Sequence, residues 1–500
     1  MTTQNLAFWQ QKAQEKINAG IEGRAFINGK YVNAQQQKTF PCMSAVDGRK
    51  LTEIAQCQST DADIAVKAAR NVFELGTWSR LSPVNRKAIM LKLADLIELH
   101  SEEFALLETL DMGKPINDSI NVDLPGTIRA IRWSAEAIDK IYDQVAPTAD
   151  NELGLVTHEA VGVVAAIVPW NFPLTMASWK LGPALAAGNS VILKPSEKSP
   201  LTAIKLAALA QQAGIPDGVL NVLPGFGHEV GKALALHGDV DTLVFTGSTA
   251  TAKQLMIYAG ESNMKRVWTE AGGKSPNIVF ADAPNLDDAA QAAADAICFN
   301  QGEVCTAASR LLVEASIKDE FIAKVKTAMN TWQAGNPLDP NTNIGAIVDK
   351  TQYDRVLDYI NKGSEQGANL CCGGKNADIV EGGFYIQPTM FSEVTNDMAI
   401  ASEEIFGPVL SVLTFNNMEE AIQIANDTPY GLAAGIWTAN LSKAHKMAKS
   451  IRAGSVWVNQ WDGGDMTAPF GGFKQSGNGR DKSLHAFSKY TEIKATWIKL

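Results

Sequence analysis

The sequence has few cysteines, no long apolar run and no cluster of basic residues, and each of these shortages excludes a class of protein. The six cysteines among 500 residues have no CxxC pair or disulfide-framework spacing, so we expect reduced thiols. With no HExxH motif and only six scattered histidines, we expect no metal site. The longest apolar stretch, 161–174, is interrupted by prolines and is too short to span a bilayer.

Charge and the amino terminus indicate the compartment and the partners. The net charge of -10, without a basic run, argues against nucleic acid or an acidic membrane surface as a partner. The opening stretch MTTQNLAFWQQKAQEKIN is polar and roughly helical, unlike a signal peptide, and this predicts a cytoplasmic protein. Hydrophobic residues make up 46% of the chain, which is typical of globular proteins. A chain of 500 residues should form two or three domains.

Hydrophobic periodicity predicts helices first, and then strands that alternate with helices. Apolar residues at three-and-four spacing predict helices over 62–73, 83–110 and 122–145. From about residue 160, strands alternate with helices, an order typical of a largely parallel sheet. The predicted strands are 162–168, 190–193, 219–222 and 242–245, and the predicted helices between them are 179–187, 201–213, 229–236 and 250–258.

A second series of strands and helices begins near Ser275. Its predicted strands are 278–280, 310–313, 409–415 and 455–458, and its predicted helices are 286–299, 318–332 and 349–364. Gly272 and Gly273 precede this series and predict a hinge between two lobes. Residues 488–500 alternate β-branched or aromatic residues with Lys and Glu, which predicts an edge strand in contact with another subunit.

Two turns of the first series have features of a phosphate-binding site. Gly247 and Ser248 close an apolar strand and open a helix, where backbone N–H groups and the helix dipole favour an anion such as pyrophosphate. The glycine turn around Gly227 also opens a helix, although it is not a full GxGxxG fingerprint. Local evidence alone favours a plain strand-to-helix turn with a serine cap.

Lys194 and Glu197 stand three residues apart at the carboxyl end of a predicted strand. Lysine can donate to the hydroxyl groups of a ribose, and glutamate can accept from them. A surface charge pair is the alternative, and the local pattern alone favours it.

Three residues have the side chains needed for nucleophilic chemistry on a carbonyl group. Cys305 follows a helix that breaks at Gly302, so its thiol lies on irregular backbone, although a lone cysteine is more often a small buried hydrophobe. Glu270 ends an apolar strand, where a desolvated carboxylate can act as a base or simply pair with Lys274. Asn171 lies in a stiff aromatic loop, where its amide can donate to an oxyanion or only form a turn.

Seven segments resemble the aldehyde dehydrogenase superfamily, and they occur in family order. They are PWNFP, KPSEKSP, FTGS, EAGGKSP, NQGEVC, EEIFGPV and PFGGFKQSGNGR, and the resemblance extends from about Phe26 to the end. It implies an α/β fold with a Rossmann-like cofactor domain, an α/β catalytic domain and a small β oligomerisation segment. The expected boundaries are 1–137 with 159–270 for the NAD(P)-binding domain, 271–480 for the catalytic domain, and 138–158 with 481–500 for the oligomerisation segment.

The resemblance also implies residue roles. Cys305 matches the nucleophile, Glu270 the general base, and Asn171 the oxyanion hole together with the backbone N–H of Cys305. Thr269 and Val304 depart from the usual pattern without removing a reacting group, and Asp481 replaces a glutamate that many members use for proton exit. The implied cofactor-binding residues are Trp170, Lys194, Glu197, Gly227, Gly247, Ser248, Glu404 and Phe406.

The implied cofactor is NAD or NADP, and the implied assembly is a homodimer or homotetramer. NAD is expected to be preferred, because the carboxylate of Glu197 would repel the 2′-phosphate of NADP. NADP remains an option if Glu197 turns away beside Lys194.

The expected reaction oxidises an aldehyde to a carboxylic acid through a thioester on Cys305. The run GDMTxPFGGxKQSGNGRDKSLHA, present here over 464–486, resembles bacterial γ-glutamyl-γ-aminobutyraldehyde and aminoaldehyde dehydrogenases of polyamine breakdown. Aromatic and acidic side chains suit an ammonium or guanidinium tail, with Asp462 and Asp465 adding negative charge. The resemblance places Asp123 where aminoaldehyde-oxidising members carry an acid at the mouth of the substrate tunnel. The local pattern alone favours a solvated helix residue at Asp123 and tryptophans that only pack. The expected substrate-binding residues are Asp123, Phe172, Trp179, Trp461 and Phe470.

Three alternatives stay open. The substrate could be betaine aldehyde or a broad range of aldehydes. A CoA-acylating aldehyde dehydrogenase would also use Cys305, but that class typically lacks the glutamate base that Glu270 supplies. A structural or binding role without chemistry would predict damage to Cys305, Glu270 or Asn171, and all three are intact.

Overall fold

The computed structural model describes residues 5–500, and its strands form two seven-stranded sheets, a three-stranded sheet and a two-stranded hairpin. In chain order the strands are β1 (Ala25–Ile27), β2 (Lys30–Val32), β3 (Thr39–Met43), β4 (Lys50–Ala55), β5 (Gln144–Ala146), β6 (Glu152–Ala160), β7 (Val163–Ile167), β8 (Ser190–Lys194), β9 (Leu220–Val222), β10 (Thr242–Gly247), β11 (Arg266–Ala271), β12 (Pro276–Val279), β13 (Arg310–Glu314), β14 (Asn369–Cys372), β15 (Thr389–Ser392), β16 (Val409–Phe415), β17 (Ala433–Trp437), β18 (Ser455–Val458) and β19 (Thr491–Lys499).

The helices surround these sheets, and none within residues 5–500 is both long and apolar enough to cross a membrane. They are α1 (Leu6–Ala19), α2 (Ser59–Leu75), α3 (Pro83–Leu99), α4 (Ser101–Met112), α5 (Ile116–Asp118), α6 (Leu124–Ala137), α7 (Pro173–Ala186), α8 (Leu201–Ala213), α9 (Lys232–Leu236), α10 (Thr249–Glu261), α11 (Leu286–Cys298), α12 (Lys318–Met329), α13 (Lys350–Glu365), α14 (Ala399–Ser402), α15 (Met418–Asn426) and α16 (Leu441–Ser450). Single π-helical turns lie at Ser119–Asp123 and Gly227–Gly231.

The first large sheet has the strand order β11-β10-β7-β8-β9-β1-β2. Strands β7 to β11 in this sheet are parallel, and β1 and β2 extend it antiparallel. Alternate residues of β7 enter two cores: Val164 and Ala166 face one, while Val163 and Ala165 face the other. Burial on both faces explains why β7, with the sequence VVAAI, is apolar without interruption, as predicted for a parallel sheet.

The second large sheet has the order β14-β15-β16-β13-β12-β17-β18, and all its neighbours are parallel except β14 with β15. Leu312 of β13 packs into one core, and Leu311 and Val313 pack into the core on the opposite face. Both large sheets therefore have helices on both faces, and the expected α/β fold class is confirmed.

The carboxyl-terminal strand forms the edge of the small sheet, whose order is β19-β6-β5. Strand β19 pairs antiparallel with β6 over nine residues, from Thr491 opposite Ala160 to Lys499 opposite Glu152. Its other edge has no partner strand within residues 5–500, and Ile493 and Trp497 on it are 70% and 65% exposed. The predicted edge strand is therefore present, and its contact with another subunit stays a prediction.

Three of the predicted helices differ most from the structure in their limits. The helix predicted over 83–110 is divided at His100, whose φ of -101° and ψ of 19° interrupt the helical run. The helix predicted over 122–145 ends at Ala137, and residues 144–146 form β5 instead. A third helix, predicted to begin at Trp179, begins at Pro173, because proline fits the first turn of a helix.

A strained turn follows α11 and leads to Cys305. Asn300, Gln301 and Gly302 have φ values of 48°, 56° and 73°, a left-handed region that side chains other than glycine rarely adopt. Buried hydrogen bonds hold it: the Asn300 amide donates to the carbonyl oxygen atoms of Asn171 (3.2 Å) and Glu303 (3.1 Å). The Gln301 amide donates to another backbone carbonyl at 3.2 Å. This turn, residues 299–302, therefore fixes the backbone that carries Cys305.

We expect the substitution Gly302→Ala to lower the free energy of unfolding by about 2 kcal/mol or more and to reduce activity at least tenfold. A Cβ atom at Gly302 would overlap the carbonyl group of Gly407, and the positive φ adds strain. The matched control is Gly260→Ala in α10, where a Cβ atom meets nothing within 4 Å. Thermal unfolding and initial rates with a small aldehyde would measure both variants, and equal behaviour would contradict the prediction.

Candidate active site

The candidate site lies where the carboxyl ends of the parallel strands of the first sheet meet. The loop after β7 carries Trp170 and Asn171, β8 ends at Lys194, and β10 ends at Gly247. Glu270 lies near the end of β11, opposite Thr246 of β10 in the strand register. Ligands of open parallel sheets bind at this edge, because the loops that follow the strands converge there.

Asn171 connects this edge to the turn that carries Cys305. Its buried side-chain amide donates to the carbonyl oxygen of Glu303 at 2.9 Å, two residues before Cys305. An amide group has two N–H donors, so the second remains available to a substrate oxygen. The Cys305 thiol is half-buried. The backbone carbonyl oxygen of Cys305 lies 3.2 Å from the position that a Cβ atom of Gly273 would occupy. The structure thus brings Asn171, Cys305 and the segment after Glu270 together.

The electrostatic surroundings of Cys305 favour the neutral thiol. Burial raises the pKa of Cys305 to about 12, and the negative charges of Glu404, Asp462 and Glu270 act in the same direction. The backbone N–H of Thr306 opposes this shift by donating to the sulfur. In the protein alone, very little thiolate is therefore present at neutral pH.

Glu270 is a buried carboxyl group without a hydrogen-bond partner. It is 3% exposed, and neither of its oxygen atoms has a partner within residues 5–500. Burial raises its pKa well above the usual value, and the charge of Asp481 adds to the shift. A Cβ atom at Gly471 or at Gly479 would lie 2.8 Å from Oε1 of Glu270, so these two glycines provide the space for the carboxyl group.

Asp481 is the centre of a buried ionic cluster beside Glu270. Its carboxylate accepts from Lys180 at 2.5 Å and also from Lys489. Burial alone would raise the pKa of Asp481, but the two ammonium groups outweigh it and the pKa is lowered.

The hydroxyl of Thr269, which departs from the family pattern, donates to Oδ1 of Asn478 at 3.1 Å.

The side chains expected to contact the adenosine half of a cofactor lie on the same edge. Nζ of Lys194 is 3.2 Å from the carboxylate of Glu197. Ser248 caps α10 and accepts from the backbone N–H of Thr251 at 3.2 Å, which leaves the first turn of the helix open to an anion. A Cβ atom at Gly227 would meet nothing within 4 Å, so there is open space at the glycine turn around Gly227.

Glu404 and Phe406 lie on the opposite side of this region. A Cβ atom at Gly272 would overlap the Glu404 carboxylate, so only a glycine leaves room for it there. Burial raises the pKa of Glu404 to about 7, although the backbone N–H of Gly273 donates to it. The Phe406 ring meets the Trp170 ring edge to face, with centroids 5.2 Å apart. Two carboxylates for ribose hydroxyls, a helix start for phosphates and a flat aromatic wall fit a nicotinamide dinucleotide.

The aromatic residues expected at the substrate do not form one cluster. Trp179 and Phe470 form a T-shaped pair with centroids 5.2 Å apart, which we call the aromatic pair. Phe172 lies 6.2 Å from the ring of Phe299, at the end of α11. Trp461 instead packs against Trp457, with centroids 5.1 Å apart.

The expected placement of Asp123 at a tunnel mouth was wrong, and so was the alternative of a solvated helix residue. Asp123 is 1% exposed, and its carboxylate accepts from the buried Lys114 at 2.8 Å. The same ammonium group lies 3.9 Å from the centroid of the Phe172 ring. The pairing neutralises Asp123 inside the protein, because an unpaired buried charge is costly.

The sequence interpretation also missed Lys482. Its Nζ atom lies 4.6 Å from the centroid of Trp179 and 5.7 Å from that of Phe470. The face of the aromatic pair that was expected to receive a cationic tail is therefore occupied by a cation of the protein itself. The only signal in the sequence was the position of Lys482 within the shared run at 464–486.

We expect alkylation of Cys305 by iodoacetamide, in protein without cofactor, to speed up about tenfold per pH unit between about pH 7 and pH 10. A raised pKa leaves the reactive thiolate scarce over this whole range, and each unit of pH increases it tenfold. Peptide mass spectrometry resolves Cys305 from the other half-buried thiols, and Cys305→Ala is the control. A rate that levels off below about pH 9 would contradict the raised pKa.

Comparison with known proteins agrees with the geometry. The model of the aldehyde dehydrogenase family matches residues 31–496. The NADP/NAD-dependent aldehyde dehydrogenase PuuC of Escherichia coli (strain K12) is 57% identical over 500 residues, all of both chains. The P. syringae indole-3-acetaldehyde dehydrogenase AldA, solved with NAD+, is 69% identical with a TM-score of 0.98, over 99% of this chain and 100% of that chain. A γ-glutamyl-γ-aminobutyraldehyde dehydrogenase of Burkholderia cenocepacia J2315 is 58% identical with a TM-score of 0.97 over the same shares.

These similarities extend over the strands, loops and turn that carry the candidate site. They confirm the predicted resemblance to the aldehyde dehydrogenase superfamily, including the similarity to γ-glutamyl-γ-aminobutyraldehyde dehydrogenases. They also confirm the predicted NAD(P) dependence. The chain belongs to the aldehyde dehydrogenase family and is an NAD(P)-dependent oxidoreductase that acts on an aldehyde.

Proposed function

We propose that Cys305, Glu270 and Asn171 carry out this oxidation through a thioester, and that the natural substrate is a γ-glutamyl-aminoaldehyde or a related aminoaldehyde. The observation that carries the assignment is the carboxyl group of Glu270, which is buried without a partner near a cysteine held on a rigid turn. A structural protein gains nothing from such an unpaired buried group, since it lowers stability.

In the first step, the Cys305 thiol releases its proton to solvent water, and the sulfur adds to the carbonyl carbon of the aldehyde. A C–S bond forms, and the π electron pair of the carbonyl moves to oxygen. The resulting oxyanion accepts hydrogen bonds from the free N–H of the Asn171 side chain and from the backbone N–H of Cys305. Because the turn and the amide are fixed by buried hydrogen bonds, these donors need no rearrangement as charge develops.

The residues at the sheet edge hold the cofactor. Lys194 and Glu197 would contact the adenosine ribose, the start of α10 at Ser248 the pyrophosphate, and Glu404 the nicotinamide ribose. When bound there, NAD(P)+ supplies a hydride acceptor, so the adduct on Cys305 becomes a thioester as its C–O double bond re-forms.

Glu270 then activates water for hydrolysis of the thioester. In its ionised form it takes a proton from water, the hydroxide adds to the acyl carbon, and the C–S bond breaks to release the acid and restore Cys305. Burial raises the pKa of Glu270, which makes it a stronger base, while Lys180, Lys489 and Arg480 favour its ionised form. The presence of this base argues against transfer of the acyl group to CoA.

The similarity to two relatives supports the proposed substrate class, and the name of one of them states it. PuuC and the B. cenocepacia enzyme are 57% and 58% identical to this chain over nearly their whole lengths, and the latter is named for γ-glutamyl-γ-aminobutyraldehyde. A second candidate is indole-3-acetaldehyde, for which the 69% identical AldA is named. The observation that favours this candidate is the extent of the similarity to AldA, which covers 99% of this chain with a TM-score of 0.98.

The small sheet supports a proposed assembly. Strand β19 presents a nine-residue edge and exposed apolar side chains, which a second copy of the chain could cover in a homodimer or homotetramer. The proposed domain division also follows the sheets: the first sheet draws its strands almost entirely from 1–137 and 159–270, the second from 271–480, and the small sheet from the remainder. A cytoplasmic location remains part of the proposal.

We expect the substitution Glu197→Gln to raise the ratio of kcat/KM for NADP to that for NAD by about tenfold. It removes the negative charge that would repel a 2′-phosphate, while the amide can still accept from a ribose hydroxyl. Initial rates with both cofactors measure the ratio, and Glu320→Gln on the distant helix α12 is the control. An unchanged ratio would show that Glu197 does not contact the ribose.

We expect Glu270→Gln to release about one NADH per subunit in a burst, followed by turnover about a hundredfold slower or more, because only hydrolysis needs the base. Stopped-flow absorbance measures the burst, and mass spectrometry of the quenched protein should find the acyl group on Cys305. Cys305→Ala, as a control, should give neither a burst nor an acylated peptide. Undiminished steady turnover of Glu270→Gln would refute the proposed mechanism.

A further inference from the structure

Lys482 is held in an unusual backbone conformation against the aromatic pair. Its φ is 57°, and that of the next residue, Ser483, is 50°. Residues other than glycine adopt this region only where the surroundings require it. The neighbouring backbone enforces it: Phe470 and Asp481 exchange hydrogen bonds of 2.8 and 2.7 Å, and the Ser483 N–H donates to the Met466 carbonyl at 2.7 Å. The backbone position of Lys482, from which its side chain extends over the aromatic pair, is thus built into the fold.

The ammonium group of Lys482 has no anionic partner within residues 5–500: no hydrogen bond or ion pair of it is found there. This contrasts with Lys180 and Lys489, which both bind Asp481. Lys482 is half-buried, and its ammonium group interacts electrostatically with the sulfur of Cys305. The ammonium therefore lies close enough to the reacting sulfur to act on a bound substrate. A half-buried, unpaired cation facing this site is available to a ligand.

We propose that Lys482 determines specificity by pairing with a carboxylate group on the tail of the aldehyde substrate. This inference rests on the proposed function and sharpens it. An ammonium or quaternary ammonium tail cannot use the aromatic pair, because Lys482 already occupies that face and would repel a second cation. A carboxylate there completes an ion pair that the protein leaves open.

The nearby carboxylates define the tail more closely. Asp462 and Asp465 lie on the loop before the aromatic residue Phe470, and both interact electrostatically with Lys482 without forming an ion pair. Asp462 and Asp465 are exposed, so they remain free to pair with a ligand. A tail that ends in an α-amino acid carries an ammonium and a carboxylate on one carbon. This pair of charges matches the acidic side chains of Asp462 and Asp465 beside the ammonium of Lys482. The γ-glutamyl group has such an end, whereas simple aminoaldehydes lack the carboxylate.

The test compares Lys482→Met, Lys482→Arg and wild-type enzyme on four aldehydes: hexanal, 3-aminopropanal, 4-oxobutanoate and γ-glutamyl-γ-aminobutyraldehyde. Met keeps much of the apolar stem that covers the rings and removes only the charge, whereas Arg keeps the charge. Lys12→Met is the matched control, because Lys12 also lies over an aromatic ring, that of Phe8, but far away in α1. Circular dichroism and thermal unfolding establish that each variant is folded.

For Lys482→Met, we expect kcat/KM for the two carboxylate-bearing aldehydes to fall at least tenfold relative to hexanal, mainly through KM. The value for 3-aminopropanal should rise relative to hexanal, since the repulsion is gone. Lys482→Arg should retain most of the preference, and about 0.5 M NaCl should weaken it by screening. A change of the same factor for all four aldehydes, or a loss that Arg does not rescue, would overturn the inference.

The outcome also separates this inference from the proposed function. If wild-type enzyme oxidised hexanal and the acyl group were trapped on Cys305, but Lys482→Met changed no preference, only the inference would fail. If no aldehyde gave NADH, or no acylated Cys305 formed, the proposed mechanism itself would fail. Substituting Asp462 by Asn extends the test, because it should weaken γ-glutamyl-γ-aminobutyraldehyde more than 4-oxobutanoate, and an equal effect would contradict recognition of the ammonium.

Discussion

The hydrogen bond from the Asn171 amide to the Glu303 carbonyl is the contact on which the site depends. It joins the loop after β7, which belongs to the first large sheet, to the turn that follows α11 in the second series. The Asn300 amide donates to the backbone carbonyl oxygens of Asn171 and Glu303, so neither segment can shift alone. Because buried polar groups are costly when unpaired, this network holds the proposed nucleophile and the proposed oxyanion donor in one geometry.

Desolvation gives the site a second common property. Burial raises the pKa of Cys305, Glu270 and Glu404, three groups that are negatively charged when ionised. Each of them is therefore a weaker acid than in water, and at neutral pH the protein without ligands carries less negative charge among them than the same groups would carry in water. The lysines that bind Asp481 supply compensating positive charge only a short distance away. Charge can thus develop on oxygen or sulfur during the reaction in surroundings where fixed dipoles act strongly.

The sequence predicted what periodicity and motif order determine, and it missed what depends on contacts between distant residues. Buried parallel strands such as β7 are uniformly apolar, so they were visible, whereas the short antiparallel β2, β3 and β4 contain polar or charged residues. Asp123 resembled a ligand-binding acid because only the folded chain brings Lys114, which lies nine residues earlier in the loop before α5, to its carboxylate. Lys482 was overlooked for the same reason: only the folded chain places its ammonium over Trp179, some 300 residues earlier.

The paired glycines after Glu270 show how one pattern can have two physical meanings. In the sequence, Gly272 and Gly273 indicate a hinge, because glycine is the most flexible residue. Neither has a positive φ in the structure, so neither is needed for its backbone freedom. What they lack is a Cβ atom: at Gly272 it would overlap the Glu404 carboxylate, and at Gly273 it would press on the Cys305 carbonyl. Glycine here provides space for close approach, and that space lets the candidate base, the candidate nucleophile and the carboxylate proposed to bind a ribose converge on one small volume.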